Sequence, residues 1–349
     1  MKSEKNKITK QIGISLAIIG ILFLAIVTLN LSKNEEIIIF CFMYGFMVFM
    51  VFNLFKISKA GDVDITNTIN TLNKLQEDLE RKTFIQDMLN HANMEFEINE
   101  KMAYVNKIIE KYDDCADGYY YRGDFYIKFE KFYSAIKDFE KVIQLDKNYK
   151  EAYRGKGVCY SRLGDNDLAI KNYEKALQID PNYEESYFNR SVAYLKQDDL
   201  RKAIKDLDKV IGLNPKNGEA YYNRALAYGR MENHTKVIRD FSKAIKMGYK
   251  VGKSYCNRGK EYSLTGNFKK AKDDYTRSIE HGYDSYIVYM GRGAANLDLE
   301  EYNEAILDFN KAIELDNTKL GNYYYRGLAY YNLKQYKEAI DDFSVAIEG

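Results

Sequence analysis

Basic and acidic residues recur through about two thirds of this chain at a spacing that could join them as ion pairs. When the chain is divided into units of 34 residues from Ala116, position 7 of every unit is basic and position 23 is acidic in six of seven. The basic residues are Arg122, Lys156, Arg190, Arg224, Arg258, Arg292 and Arg326. Position 23 holds Asp138, Asn172, Asp206, Asp240, Asp274, Asp308 and Asp342. The lysine and the asparagine fall in the same unit, so the two positions change together. We therefore predict a ladder of partly buried, bidentate Arg–Asp pairs, with independent solvated charges as the alternative.

Residues typical of catalysis are scarce. The chain has only three histidines, His91, His234 and His281, and they are widely separated. No phosphate-binding glycine loop, nucleophile elbow or H-E-x-x-H motif occurs. We predict that the protein is not an enzyme and that it has no catalytic residue, no cofactor and no metal site.

The cysteine spacing and the net charge argue against further classes of protein. The four cysteines lie far apart without a C-x-x-C pair, which argues against a disulfide framework or a zinc site and fits a reducing compartment. The 52 basic residues are balanced by 51 acidic residues, so the whole chain has no bias toward nucleic acid.

The elements that position these charges form an internal repeat. Seven units begin at residues 116, 150, 184, 218, 252, 286 and 320. Position 4 is always tyrosine, position 8 is small, position 20 is alanine except at Val237, and position 24 is large and apolar or aromatic. Small residues let two helices approach closely, and turn residues such as Thr265-Gly266-Asn267 lie midway. The pattern predicts one antiparallel helix pair, helix A and helix B, per unit over residues 116–349.

This framework resembles the tetratricopeptide repeat (TPR) family. The resemblance implies an all-α, right-handed superhelical solenoid of seven units, with a concave groove lined by helix A positions 2, 5, 9, 12 and 13. The chain departs from the family at position 7, where leucine is usual and all seven units here are basic.

Carried onto this sequence, the resemblance gives candidate groove residues. Position 5 holds Tyr120, Arg154, Phe188, Tyr222, Cys256, Met290 and Tyr324. Position 13 begins with the basic row Lys128, Arg162, Lys196 and Arg230. Position 6 adds Asn189, Asn223 and Asn257, and position 2 is acidic in units 1 to 4. Aromatic residues beside a basic row suit an extended peptide with acidic and apolar side chains, and a generic solvated helix face is the alternative.

A sharper possibility is the carboxylate clamp of some TPR co-chaperones, which hold the acidic C-terminus of a chaperone. The asparagine row at position 6 and Lys253 fit it in part. The asparagine that the clamp needs at position 9 is missing, because Val158, Val192 and Leu226 occupy that row. The clamp is therefore incomplete.

The N-terminal segment, residues 1–59, reads as a membrane anchor. Two apolar runs, residues 12–31 and 37–55, are long enough to cross a bilayer, and the five residues between them require a hairpin. The first run is too long for a signal peptide. Lysines before the first run and after the second place both termini in the cytoplasm. A bacterial inner membrane suits this pattern, and a eukaryotic organelle membrane stays open.

Residues 60–115 form a connector of helical character. Apolar residues between Ile65 and Leu79 share one helix face, which fits either a short coiled-coil stalk or an amphipathic helix lying on the first repeat. Residues 84–111 resemble a degenerate repeat that covers the open face of unit 1.

We therefore expect a membrane-anchored scaffold that binds a protein or peptide in its groove. The alternative is a co-chaperone or client-holding factor for envelope assembly or protein translocation. The last helix carries Ile340 and Ile347 on a face that we expect to be covered by a partner, by a second copy or by the chain itself.

Overall fold

A computed structural model describes residues 66–94 and 98–348 of the chain. The chain divides into two parts, Met1–Asp87 and Met88–Gly349. Every regular element in the described residues is an α-helix, and they contain no strand, so the all-α prediction is confirmed there. Within the same residues, no helix has both the length and the apolar character that crossing a bilayer requires. The predicted hairpin, residues 12–31 and 37–55, lies outside the described part of the chain.

Sixteen helices are described. The first two are α1 (Thr66–Met94) and α2 (Ile98–Lys111). The helices A of units 1 to 7 are α3 (Ala116–Lys128), α5 (Lys150–Arg162), α7 (Glu184–Lys196), α9 (Gly218–Arg230), α11 (Val251–Leu264), α13 (Tyr286–Asp298) and α15 (Leu320–Asn332). Their partners, the helices B, are α4 (Phe132–Leu145), α6 (Asn166–Ile179), α8 (Leu200–Leu213), α10 (His234–Lys246), α12 (Phe268–Glu280), α14 (Tyr302–Leu315) and α16 (Tyr336–Glu348).

Helix starts follow the 34-residue frame. Six helices A begin at the first residue of their unit, and α11 begins one residue earlier, at Val251. Each helix A contacts the helix B of its own unit, and each helix B contacts the helix A of the next unit. This is the arrangement of a solenoid, in which each unit buries its apolar faces only against its neighbours.

The degenerate repeat ahead of unit 1 packs on it. Val105 and Ile108 of α2 are fully buried, and Val105 clusters with Ala92 from the end of α1 and Phe125 of α3. These two α2 residues lie 34 residues before Phe139 and Val142 of α4, which are also buried. Helix α2 therefore keeps the repeat frame as a helix B, although the sequence pattern indicated that the frame begins only at Ala116. Both alternatives for the region around Ile65–Leu79 stay predictions.

Small residues are required where an aromatic ring packs directly against the backbone of a helix A. A Cβ placed on Gly155 would lie 2.5 Å from the Phe139 ring of the preceding unit, and one on Gly157 would lie 2.5 Å from the Tyr173 ring of its own unit. The ring at position 24 thus contacts two successive helices A. Close packing of this kind leaves no room for a larger side chain at these positions.

The turn from helix A to helix B has one conformation in all units. Position 15 lies in the left-handed region in each of them, with φ between 56° and 89°. The residues are Glu130, Gly164, Asp198, Glu232, Gly266, Glu300 and Lys334. Two units use glycine, which adopts this region without strain, and one of these glycines, Gly266, lies in the turn that was predicted at Thr265-Gly266-Asn267.

The predicted Arg–Asp ladder is confirmed in six units. In each, Nε and Nη2 of the arginine at position 7 donate hydrogen bonds of 2.6–3.1 Å to the carboxylate at position 23. The tyrosine at position 4 lies over the same guanidinium, with 5.3–5.6 Å from Cζ to the ring centroid. The side chains are well shielded, and the Asp240 carboxylate is completely buried. Burial lowers the pKa of Arg224, but its hydrogen bonds to Asp240 and Asp208 outweigh burial and hold that pKa above its ordinary value.

The ladder also joins successive units, a contact that was not predicted from the sequence. The remaining nitrogen, Nη1, donates to the side chain at position 25 of the preceding unit in five cases. The acceptors are Asn106, Asp208, Ser242, Thr276 and Asn310. Position 25 carries an oxygen acceptor in every unit, and this was the signal that could have revealed the contact.

Unit 2 is the exception, and its contacts explain why positions 7 and 23 both differ from those of the other units. Lys156 Nζ donates to Glu140 of the preceding unit at 2.9 Å, whereas the Asn172 amide donates to the Leu168 carbonyl of its own helix at 2.8 Å. The two side chains thus turn away from each other. A lysine cannot fill the bidentate geometry of a guanidinium, so the asparagine avoids leaving a buried carboxylate unpaired.

We predict that Asp240→Asn destabilises the fold by about 3 kcal/mol, because it removes the buried bidentate carboxylate and leaves the shielded Arg224 only the more exposed Asp208 as an ionic partner. The double variant Arg224→Lys/Asp240→Asn reproduces the pair of unit 2, and its lysine can reach Asp208. It should therefore lose less stability than the single variant. The free energy of unfolding in urea measures both. The exposed Asp273→Asn is the matched control, and an Asp240→Asn loss no larger than the control's would contradict a stabilising role for the ladder.

Candidate functional site

The helices A form the inner side of the stack. In five of the six neighbouring unit pairs, helix A closely approaches the next helix A, and no two successive helices B in the described units make comparable contact. Elements on the inside of a curved stack lie closer together than those outside, so the face of the helices A is the concave one. This face, made of positions 2, 5, 6, 9, 12 and 13, is the candidate site and is called the inner face below.

The basic row at position 13 lies at one edge of the inner face. Lys196 Nζ donates to the Ser161 carbonyl at 3.1 Å, and Arg230 Nη1 donates to the Leu195 carbonyl at 2.9 Å. Arg230 also pairs with Asp198. Both acceptor carbonyls lie in the last turn of the preceding helix A, where carbonyls lack intrahelical partners and a cation is favoured. These two cations thus join successive units as well as facing solvent.

The other two members of the row are more available. Lys128 pairs with Asp124 on its own helix at 2.9 Å, and its side chain is about half exposed. Arg162 is exposed and makes no hydrogen bond or ion pair with the described residues.

Position 5 contributes less surface than the sequence analysis expected. Tyr222 is only 4% exposed and packs against the rings of Phe241 and Tyr249. Its hydroxyl accepts a hydrogen bond from Asn257 Nδ2 at 3.2 Å, so Asn257 is held by the core residue. Phe188 is half-buried against the cluster around Leu207. Asn189 and Asn223 are half-buried, and their amides form no hydrogen bond with the described residues.

The acidic row at position 2 divides into two kinds of residue. Asp117 accepts a hydrogen bond from the Tyr149 hydroxyl at 2.8 Å, and Glu219 accepts one from Tyr249 at 2.6 Å. These two acids therefore fix the position of the segment that joins their own unit to the next. Glu151, by contrast, faces an open depression between units 1, 2 and 3.

This depression has a volume of about 630 Å³, and Arg154 is one of the residues that line it. Arg154 Nε donates to the Tyr183 hydroxyl at 2.9 Å, and Nη2 donates to the Tyr120 hydroxyl at 3.3 Å. Burial raises the pKa of Tyr183 to about 12, although the neighbouring Arg154 acts in the opposite direction. The structure therefore brings together two of the predicted position-5 residues, Tyr120 and Arg154, and adds Tyr183 from the end of unit 2.

The inner face of units 5 to 7 has a different character. Leu264, Ile287, Tyr324 and Tyr331 are exposed at inner-face positions, by between 41% and 60%. The tyrosine run at residues 323–325 was the sequence signal for this apolar part, which the sequence analysis treated only through Tyr324.

The histidines serve the scaffold. His234 Nδ1 lies 2.7 Å from a carboxylate oxygen of Glu261 in the next unit, and His281 stacks on the Tyr255 ring. Over residues 66–94 and 98–348, no three His, Cys, Asp or Glu side chains are grouped so that they could hold a metal ion.

Comparison with family models identifies the repeats. Models described as tetratricopeptide repeat or TPR repeat match residues 116–149, 151–183, 172–205, 193–232, 218–247, 256–319 and 322–348. The chain is a tetratricopeptide repeat protein. A search of curated proteins found no match to this TPR protein.

Three solved structures are similar to this chain, and the first two of them share its fold. The C-terminal part of a TPR repeat-containing protein from Cytophaga hutchinsonii is 17% identical, with a TM-score of 0.56, over 69% of this chain and 97% of that one. A chain of the APC/C hetero-tetramer Cut9–Hcn1 is 14% identical, with a TM-score of 0.50, over 70% of this chain and 51% of that one. MamA is 28% identical, with a TM-score of 0.43, over 45% of this chain and 92% of its own.

We predict that Cys256, at position 5 of this TPR protein, reacts slowly with alkylating reagents. Burial raises the pKa of its thiol to about 11, despite the opposing effect of Lys253 and Lys260. At pH 8 only about one thiol in a thousand is then the reactive thiolate. Alkylation with iodoacetamide, read by mass spectrometry at this residue, should be at least about 100-fold slower in the folded protein than in concentrated urea. Equal rates in both conditions would show that Cys256 opens onto the inner face.

Proposed function

We propose that this TPR protein is a membrane-anchored scaffold that binds a protein or peptide partner along its inner face. The supporting observation is that this face keeps large apolar side chains in solvent at Leu226, Leu264 and Tyr331. Burying such side chains against a partner contributes about 25 cal/mol for each Å² of apolar surface removed from water. The unpaired Arg162, on the same face in unit 2, can add a charge-assisted hydrogen bond.

The division of charges on the helices A supports the same proposal. The arginines at position 7 are saturated by the ladder, so they contribute to the scaffold. The free binding capacity lies on other positions, in particular Arg162 and the half-buried amides of Asn189 and Asn223. A co-chaperone or client-holding role is the second candidate. The apolar part of the inner face from Leu264 to Tyr331 favours this role, because holding a client requires apolar contact without strict sequence preference.

A photo-crosslinking amino acid separates a scaffold from a client-holding factor. Placed at Leu226 of the inner face, it should capture a few partners in constant proportion if the protein is a scaffold, and many weakly bound ones if it holds clients. The matched control is Leu307, which is 68% exposed on a helix B. Capture that is equal at both positions would contradict a binding role for the inner face.

We also propose that residues 12–31 and 37–55 anchor the chain, with the repeats in the cytoplasm at a bacterial inner membrane. The proposal rests on two uncharged apolar runs and the lysines that flank them. Self-association through α16 belongs to the same proposal, because Ile340 and Ile347 are exposed there.

The topology predicts a clear outcome in membrane vesicles. The full chain should resist extraction at alkaline pH, and protease added to inside-out vesicles should digest the repeats, because both termini face the cytoplasm. In right-side-out vesicles the repeats should be protected. Release of the intact chain by alkaline extraction, or digestion only in right-side-out vesicles, would overturn the anchor or its orientation, respectively.

A further inference from the structure

Arg154 differs from the arginines of the ladder. Each of the six ladder arginines donates to an aspartate, whereas both acceptors of Arg154 are neutral phenol oxygens, those of Tyr120 and Tyr183. No carboxylate oxygen of the described residues forms an ion pair with its guanidinium, although that group is half-buried. A shielded cation without a counter-charge is unfavourable, and the usual remedy in proteins is a bound anion or an acidic partner.

The hydrogen-bonding groups around Arg154 are arranged to accept an oxyanion. Two of its five N–H donors are used, and Nη1 is free. Each tyrosine hydroxyl accepts from Arg154, so its own proton remains to be donated. A carboxylate in the depression can therefore receive hydrogen bonds from the guanidinium and from the hydroxyl of Tyr183, a residue that lines the depression and is held in place because only 8% of it is exposed.

The remaining charges in the depression restrict which anion is favoured. Lys150 pairs with Asp180 at 2.6 Å, and Glu184 accepts from the side-chain amide of Asn217 at 2.8 Å. Lys150 also lies 4.0 Å from a carboxylate oxygen of Glu151, so one lysine serves two carboxylates. Glu151 and Glu185 accept no hydrogen bond from the described side chains, and the wall holds more carboxylates than cations, which disfavours a simple anion. A positive charge next to the ligand's carboxylate removes this repulsion.

We propose that this depression binds a peptide carboxylate that has a positively charged side chain beside it. The carboxylate contacts Arg154 and the tyrosine hydroxyls, and the cation contacts Glu151 and Glu185. The volume of about 630 Å³ lies within the range of small-ligand sites and holds two side chains. This inference rests on the proposed function, since the ligand is part of a partner bound to the inner face.

Four pools of fluorescent eight-residue peptides test the proposal. All are acetylated and amidated, carry apolar residues at varied flanking positions, and differ only in a fixed pair: Asp-x-Lys, Asn-x-Lys, Asp-x-Gln or Asn-x-Gln. A fifth pool has the Asn-x-Lys pair and a free C-terminus, which distinguishes a terminal carboxylate from a side-chain one. Fluorescence anisotropy with the full chain in detergent measures each affinity.

The full chain should bind the Asp-x-Lys pool about tenfold or more tightly than the Asn-x-Lys and Asp-x-Gln pools. Arg154→Gln should abolish the preference for Asp over Asn and leave the affinity for Asn-x-Lys unchanged. The double variant Glu151→Gln/Glu185→Gln should abolish the preference for Lys over Gln. Arg201→Gln, at an exposed arginine of α8, is the matched control and should change neither preference.

The variants also keep the two proposals distinguishable. Thermal unfolding of Arg154→Gln and of Arg154→Lys shows whether each is folded, and the lysine variant should keep part of the preference because it keeps the charge. If peptides bind but Arg154→Gln retains the Asp preference, the inference is overturned while peptide binding stands. If the full chain binds none of the five pools, the inference is overturned, and capture at Leu226 relative to Leu307 decides the proposed function separately.

Discussion

The bidentate contact between the arginine at position 7 and the aspartate at position 23 is the interaction on which the rest of the solenoid depends. Its two parallel hydrogen bonds set the angle at which helix A meets helix B, because a guanidinium and a carboxylate match only when they lie in one plane. The third nitrogen reaches position 25 of the preceding unit, so the same side chain also sets the spacing between units. Since desolvation offsets much of the attraction, we attribute to the ladder a fixed geometry more than a large gain in stability.

The ladder leaves the inner face available for binding, because the charges that it pairs lie inside the stack and not on that face. Arg224, for example, is saturated by Asp240 and Asp208, and Tyr221 covers its guanidinium. Unit 2 lacks the bidentate pair, and it is also the unit that places an arginine at position 5. Arg154 has no carboxylate partner among the described residues, whereas the six ladder arginines each have one, and a partner molecule can supply the missing counter-charge.

The repeat and its helix pairs could be predicted from the sequence because periodic positions report local geometry. A tyrosine, a small residue and an aspartate at constant spacing recur only if the same contacts recur. The contact between the position-7 arginine and position 25 of the preceding unit was harder to predict, because position 25 varies among Glu, Asp, Ser, Thr and Asn. These residues share only the ability to accept a hydrogen bond. The assignment of the position-5 residues to the inner face stays a prediction, and their spacing in the sequence does not tell how deeply each of them is buried.

The sequence by itself determined the helix pairs, their 34-residue frame, the pairing of Arg with Asp and the membership of the TPR family. These follow from spacing, because residues three, four or sixteen apart meet through the geometry of one helix or one helix pair. Only the tertiary structure decided that Tyr222 is buried, that Lys196 and Arg230 bond to the preceding helix, and that Arg154 sits between two tyrosine hydroxyls. These outcomes depend on the size and shape of side chains in neighbouring units, and each unit differs from the others there.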